Sequence, residues 1–433
     1  MLAACLTGIA EEPKQITAPQ DAEIFVRVLL SDTPEALEGV YALTDQVAQA
    51  VKTLGGFGGL AKSLAVLGEA QEIGSAFAAE FAGKPAFRVP CRFALMPADI
   101  VLVLENNAMA GLSTAPYTEP KEAAAPEDAA AREIDLALPV PGLGELPGTL
   151  TLPQGDGPFP TVVLIHGSGA SDRNEAVMNV APFRDLAEGL AEKGVAVYRF
   201  DKRTYVYGMQ LAADTQLTLK EESVDDAVAA VQLLAQQPDI DPERIFVLGH
   251  SLGGTAIPAI DQALKEAPVK ARGYILMAAG ARPLDQIMRD QYDFLYSLLP
   301  EITEELQAQK DQLFLELDKL QNLDALPDHE KIAGVFAPYW RWLAAYDMLG
   351  LAREIAAPCL VMQGEEDYQA TMEDFSLLQA AVSDRDNWIF ISYPGLVHVF
   401  ITGQKTDGSQ VYMKNEKVSP AVIGDLADFV LTH

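Results

Sequence analysis

A serine that attacks a carbonyl needs an exposed hydroxyl, a base to take its proton and a third group to orient that base. The segment Gly249-His250-Ser251-Leu252-Gly253 offers the first. It follows Ile245-Phe246-Val247-Leu248, an apolar run of strand length, and leads into a helix-compatible stretch opening with Gly254. Gly-x-Ser-x-Gly at a strand-to-helix junction puts the serine on a tight turn, where glycines remove the Cβ atoms that would collide. The helix behind it presents free N–H groups to developing negative charge. Ser251 is expected to be a nucleophile. The alternative for the same residues is a glycine-rich turn with no chemistry.

Five histidines limit the search for the base. His250 lies beside Ser251 and is expected to point away from it. His166 ends a strand, His329 falls in a helical block, and His433 is the last residue. His398 remains, in Tyr393-Pro394-Gly395-Leu396-Val397-His398, after the last expected strand. The acid should lie between serine and histidine in the chain. Gly364-Glu365-Glu366-Asp367 follows an apolar run and places carboxylates at its end. Asp367 is the first candidate and Glu366 the second, and spacing does not separate them. An acyl-transfer intermediate also needs preorganised donors for its oxyanion. The N–H of Leu252 and that of Ser168, in His166-Gly167-Ser168-Gly169, are the expected pair, with Gly167 facing the substrate.

These groups need a frame. Apolar runs at 161–165, 195–200, 245–248, 274–278, 359–363 and 388–393 read as strands, and 182–193, 223–236, 251–265 and 419–431 as helices. The alternation predicts an α/β fold, a mostly parallel sheet wrapped by helices, with functional groups at the carboxyl ends of strands. Residues 281–350 interrupt it with helical patterns and the aromatics Phe336, Tyr339, Trp340, Trp342 and Tyr346. A helical insertion there is a cap over the strand ends. Tyr339, Trp340 and Trp342 could line an apolar pocket or form the cap's own core.

Ahead of this catalytic region (132–433, opening with strands at 132–139 and 148–153) stands an expected small α+β domain at 21–112. Its pattern is helical to about 81, with strands at 86–95 and 100–105. Gly55-Gly56-Phe57-Gly58-Gly59 reads as a hinge between helices, since no strand precedes it and no Lys-Ser/Thr follows. Residues 1–20 read as a leader, and the Pro-, Ala- and Glu-rich 113–131 as a linker.

Acidic residues outnumber basic ones 62 to 31, a formal charge of −31, which disfavours nucleic acid and anionic membranes as partners. The three cysteines have neither disulfide-framework nor metal-ligand spacing; no metal and no cofactor is expected. Leu2-Ala3-Ala4-Cys5 is similar to a lipoprotein lipobox, without the basic and long apolar segments that should precede it. Two localisations stay open: an exported lipoprotein with a truncated start, touching membrane only if Cys5 is lipidated, or a cytoplasmic protein with a chance match. The small domain could mediate homo-oligomer formation.

The order HG-x-G, GHSLGG, GxxD, His resembles the α/β-hydrolase superfamily. The stretch from His166 to Gly208, with GEEDYQ and YPGLVH, is similar to a narrower bacterial carboxylesterase family that carries a small N-terminal domain. The resemblance covers about residues 130–433. It implies a serine esterase acting on small esters, preferring short acyl chains, with no metal and with Ser251, His398 and Asp367 as its triad. Asp172-Arg173 and Asp201-Lys202-Arg203 also match that family and read as loop-bracing ion pairs.

Overall fold

The computed structural model describes residues 13–31, 33–81, 84–93, 98–117 and 131–433. Internal contacts divide the chain into two compact units, Met1–Ala125 and Pro126–His433. Cys5 and residues 118–130 of the expected linker lie outside the described residues.

In the first unit, helices α1 (Pro19–Leu29), α2 (Asp45–Thr53) and α3 (Gly56–Ser63) precede an antiparallel sheet of β1 (Ala70–Ile73), β2 (Phe77–Phe81), β3 (Lys84–Phe93), β4 (Ala98–Glu105) and β5 (Ala108–Pro116). Phe25, Val26, Leu29, Val51 and Phe57 from the helices share one core with Val89, Cys91, Ile100 and Leu102 from the sheet. Three expectations are corrected. The helical pattern does not run to 81, because residues 70–73 and 77–81 pair as strands with β3. Their Ala- and Glu-rich composition leans away from strand, and the neighbouring strand overrides it. The hinge expected between helices is confined to the start of the glycine-rich run: the chain turns at Gly55, with φ +88°, and Gly56 to Gly59 already open α3. Residues 113–116, expected in the linker, complete β5. A legible signal was passed over there: Asn106 and Asn107 both take positive φ, 50° and 61°, in a two-residue hairpin turn.

The second unit opens with β6 (Ala131–Asp135), a small ribbon of β7 (Leu138–Val140) and β8 (Gly144–Leu146), and β9 (Gly148–Pro153). The single strand expected over 132–139 is thus broken in two. Then come β10 (Phe159–Ile165), α4 (Pro182–Ala191), β11 (Ala196–Phe200), the short α5 (Arg203–Val206) and α6 (Gly208–Leu211), a π-helical turn at Lys220–Asp225, and α7 (Asp226–Leu234). After these lie β12 (Ile240–His250), α8 (Leu252–Glu266) and β13 (Gly273–Met277). The insertion follows: α9 (Leu284–Ser297), α10 (Glu304–Asp318), a ribbon of β14 (Lys331–Ile332) and β15 (Val335–Phe336), α11 (Ala337–Ala345) and α12 (Met348–Ala352). The sequence showed no strand signal for that ribbon. The chain returns with β16 (Cys359–Gly364), α13 (Met372–Ala381), β17 (Trp388–Tyr393) and α14 (Pro420–Thr432).

The eight-stranded sheet has the order β17-β16-β13-β12-β10-β11-β9-β6. Its first six strands are parallel, and β9 and β6 are antiparallel to their neighbours. A parallel sheet covered on both faces needs strands that are apolar throughout. Successive residues then serve opposite faces. Val163, Ile165 and Val247 pack with Val231 of α7 and Ile257 and Ile260 of α8. Their neighbours Val162, Leu164, Phe246 and Leu248 pack with Phe183 and Leu186 of α4 and Val422 and Leu426 of α14. Cys359 of β16 is a buried free thiol in this core. Among the described residues, no helix is long and apolar enough to cross a membrane.

Candidate active site

Between β12 and α8 the chain reverses on Ser251, which holds φ 53° and ψ −118°. A left-handed non-glycine residue costs on the order of 1–3 kcal/mol, so its surroundings must enforce it. They do. The Ser251 N–H donates to Met277 O at 2.8 Å, tying the turn to the end of β13. A Cβ on Gly253 would lie 2.3 Å from Ile165 O, so only glycine lets α8 start this close to β10. Leu252 is the first residue of α8, where the backbone N–H has no partner within the helix.

Gly167 backs onto the serine: a Cβ there would lie 3.0 Å from Ser251 Cβ. Ser168, the next residue, is exposed. The loop carrying them is held from below. Glu175 Oε1 accepts the Gly167 N–H at 2.6 Å, and Lys202 Nζ donates to Gly167 O at 2.7 Å. His166 Nε2 lies 2.9 Å from Asp172 O. Arg173 donates to Asp201 through its backbone N–H at 2.8 Å, Nε at 2.9 Å and Nη2 at 3.0 Å.

Beyond β16, Asp367 is buried and fully committed. Its Oδ1 accepts the N–H groups of Gln369 and Ala370 at 2.7 and 3.2 Å. Its Oδ2 accepts from Gln363 Nε2 at 3.1 Å and lies 2.7 Å from His398 Nδ1. Glu366 instead accepts the Lys405 N–H at 3.2 Å. With Nδ1 of His398 on the carboxylate, Nε2 is the ring nitrogen left to act as base.

His250, beside Ser251, is taken up by other partners. Its Nδ1 is 2.8 Å from Glu175 Oε2, its Nε2 is 3.1 Å from His398 O, and its ring centroid is 4.7 Å from that of His398. Burial opposes charge on both partners, but their mutual attraction prevails. It holds the His250 imidazole above its ordinary pKa and the Glu175 carboxyl below. His166 has no such partner, and burial lowers it to about 4.

The insertion's aromatics divide. Trp340 is buried with Leu317 and Ile332, its Nε1 donating to Ile332 O at 3.0 Å, so it belongs to the insertion's own core and not to a pocket wall. Tyr339 is also buried, and its hydroxyl donates to Glu222 Oε2 at 2.7 Å. Trp342 is half-buried and stacks on Tyr346, whose hydroxyl donates to Thr255 O at 2.7 Å. Sequence reasoning missed Glu175, Glu222 and Gln363. Glu175 and Glu222 act through contacts distant in the chain, to His250 and Tyr339, and carry no local signal; Gln363 donates to Asp367 only four positions on, at the end of an apolar strand.

A family model described as serine aminopeptidase, S33, matches residues 158–404, more than half of the chain and all of the loops just described. The chain belongs to this S33 family of α/β-hydrolases. Esterase EstD of Thermotoga maritima is similar to this chain, 35% identical over 286 residues, 66% of this chain and 65% of EstD. The chain therefore covers just under two thirds of that relative's length. Thiohydrolase aneE of Aspergillus aculeatus is 38% identical over 123 residues, 28% of this chain and 35% of its own. Among solved structures, Est1E from Butyrivibrio proteoclasticus aligns with a TM-score of 0.45 at 17% identity, over 69% of this chain and 98% of its own. The Pyrococcus furiosus esterase Pf2001 aligns with a TM-score of 0.44 at 17% identity, over 71% and 93%.

Proposed function

We propose that this S33-family hydrolase is a serine carboxylesterase that cleaves small carboxylic esters, with short acyl chains preferred. His398 Nε2 takes the proton from Ser251 Oγ as the oxygen attacks the ester carbonyl. Asp367 holds the imidazole in the tautomer that can accept that proton and stabilises the imidazolium. The tetrahedral oxyanion is received by the N–H groups of Leu252 and Ser168. Collapse expels the alcohol, which takes the proton from His398. Water, activated by the same imidazole, then attacks the acyl-enzyme and releases the acid, restoring Ser251.

The observation that carries this reading is the strained turn at Ser251, held on the same sheet edge as the paired His398 and Asp367. The 35% identity to a protein named esterase favours ester over amide as the substrate. The family's description as a serine aminopeptidase supports a second reading, peptide hydrolysis by the same machinery. The partial match to a thiohydrolase supports a thioester variant. A third is a non-catalytic binding protein on a hydrolase scaffold.

One panel separates them: p-nitrophenyl esters from acetate to decanoate, aminoacyl p-nitroanilides, and acyl thioesters. Ester turnover should exceed the others and peak at acetate or butyrate. Faster turnover of the anilides would replace the esterase reading with the peptidase one. Fluorophosphonate should label the native chain and not Ser251→Ala, whereas a binding protein would take up no label at all.

A further inference from the structure

The loop that presents Ser168 is fixed by a buried cation that belongs to no step of ester hydrolysis. Lys202 follows β11 and is 2% exposed. Its ammonium makes an ion pair with Glu222 Oε1 at 2.7 Å and donates to Gly167 O at 2.7 Å. Glu222 sits on the π-helical turn before α7, and its second oxygen accepts from Tyr339 of the insertion. A buried charge of this kind is costly unless fully paired. With its surroundings saturated, Lys202 has no surface through which to meet a substrate.

Its target is what gives it a role. Gly167 O and the N–H of Ser168 belong to one peptide unit. That unit is planar and trans, so the carbonyl and the N–H point in opposite directions. Drawing the carbonyl into the protein turns the N–H outward, on the side where Ser168 is exposed and Gly167 approaches Ser251. A cation on the carbonyl also polarises the peptide, and such cooperative strengthening is worth about 10–30% of a hydrogen bond. The preceding peptide is held as well, since the Gly167 N–H donates to Glu175. Both peptides around Gly167 are therefore pinned by buried charged groups.

We propose that Lys202 is a positioning residue for the oxyanion site: it holds the Gly167–Ser168 peptide so that the Ser168 N–H faces the reacting carbonyl oxygen as a strengthened donor. This rests on the esterase reading, in which Ser168 supplies that donor. It adds a residue that touches neither substrate nor triad, and it makes Glu222 and Tyr339 the supports of Lys202.

The test is the full-length double variant Lys202→Met/Glu222→Gln, which removes both charges while keeping side-chain length. An oxyanion donor acts in the transition state and leaves ground-state binding alone. The kcat for p-nitrophenyl butyrate should fall about 10- to 100-fold, short of the ~10²–10³ for outright loss of a donor, with KM within about twofold. The inhibition constant of an alkyl trifluoromethyl ketone, which forms a tetrahedral adduct on serine, should rise by the same factor. A folded variant with native kcat overturns the proposal. So does a fall in kcat with no change in ketone affinity, because the loss would then lie outside the oxyanion site. If the variant does not fold, the crystal structure of the native enzyme with the ketone decides. The adduct oxygen should lie within about 2.7–3.1 Å of Ser168 N, with Lys202 still on Gly167 O; an oxygen turned away from Ser168 N overturns the proposal. Failure of the esterase reading itself would look different, as a native chain that neither takes fluorophosphonate on Ser251 nor forms the adduct, and the proposal would fall with it.

Discussion

Two regions frame the candidate site and are built in opposite ways. The loop at 166–175 is held by buried, charge-assisted contacts: Arg173 on Asp201, Lys202 on Glu222 and Gly167, and Glu175 on Gly167 and His250. Beside them Arg203 grips Asp226, both buried, at 2.5 and 2.9 Å. The insertion between β13 and β16 has a small core around Leu317, Ile332 and Trp340 and, apart from the buried Arg282–Asp374 pair at its root, wears its ion pairs outside. Arg289–Asp318, Lys319–Glu330 and Arg341–Asp328 are all solvent-accessible. Exposed pairs contribute about 0–1 kcal/mol, whereas breaking a buried pair costs about 3–5 kcal/mol. The contrast teaches a division of labour. The edge proposed to hold the oxyanion is overdetermined by these contacts. The segment expected to cap the strand ends is held by fewer buried charged contacts.

The two regions can be tested one residue at a time. Ser251→Ala should lower ester turnover by about 10⁴-fold or more without altering the thermal transition. Asp367→Asn should lower kcat by about 10³–10⁴-fold, because the amide can hold His398 in the wrong tautomer, and rapid-quench or steady-state kinetics will read this.

Asp374 tests the insertion's root. Its Oδ1 accepts the N–H groups of Ala281 and Arg282 at 3.0 Å each, and its Oδ2 accepts from Arg282 Nη2 at 2.9 Å. Asp374→Ala should cost about 3–5 kcal/mol in urea unfolding, with a smaller change in kcat per folded molecule than Asp367→Asn. A kcat loss as large as that of Asp367→Asn would mean that the two regions are not independent.

His166 gives a pH test of the rigid side. Its folded pKa is about 4, below the ordinary 6.5, so between these values the unfolded chain binds the proton and the native one does not. Stability from this group is complete above pH 6.5 and is lost as pH falls toward 4, at no more than about 1.4 kcal/mol per pH unit. His166→Gln should flatten the slope of unfolding free energy across that window. The smallest effect is expected at Trp342. Trp342→Ala should change KM or acyl-length preference a few-fold, about what one apolar wall contact is worth, and leave serine labelling intact.

Much of this architecture is legible in the chain. The strand runs carry it because a sheet buried on both faces requires continuous apolar residues, and the elbow is readable because only glycine at 253 permits so close an approach. The small first unit was read less well. Ala70–Ile73 and Ala108–Pro116 lack the β-branched and aromatic density that marks a strand, and pairing makes them one. In the insertion, aromatic spacing could not separate a pocket wall from a core. Burial of the Trp340 indole against Ile332 separates them for that residue.

The sequence by itself determined the order of the chemistry: a serine in a glycine turn, then carboxylates, then a histidine, each after an apolar strand. These depend on neighbours in the chain, where residue type and spacing carry the information. Tertiary structure alone decided which carboxylate meets His398, since Glu366 and Asp367 are adjacent in the chain but face different partners. It alone brought Lys202 onto the peptide beside Ser251, with Glu222 on Lys202 and Tyr339 on Glu222. That chain of contacts spans 172 positions, the separation of Gly167 from Tyr339. No local pattern encodes a contact that exists only after the sheet has closed.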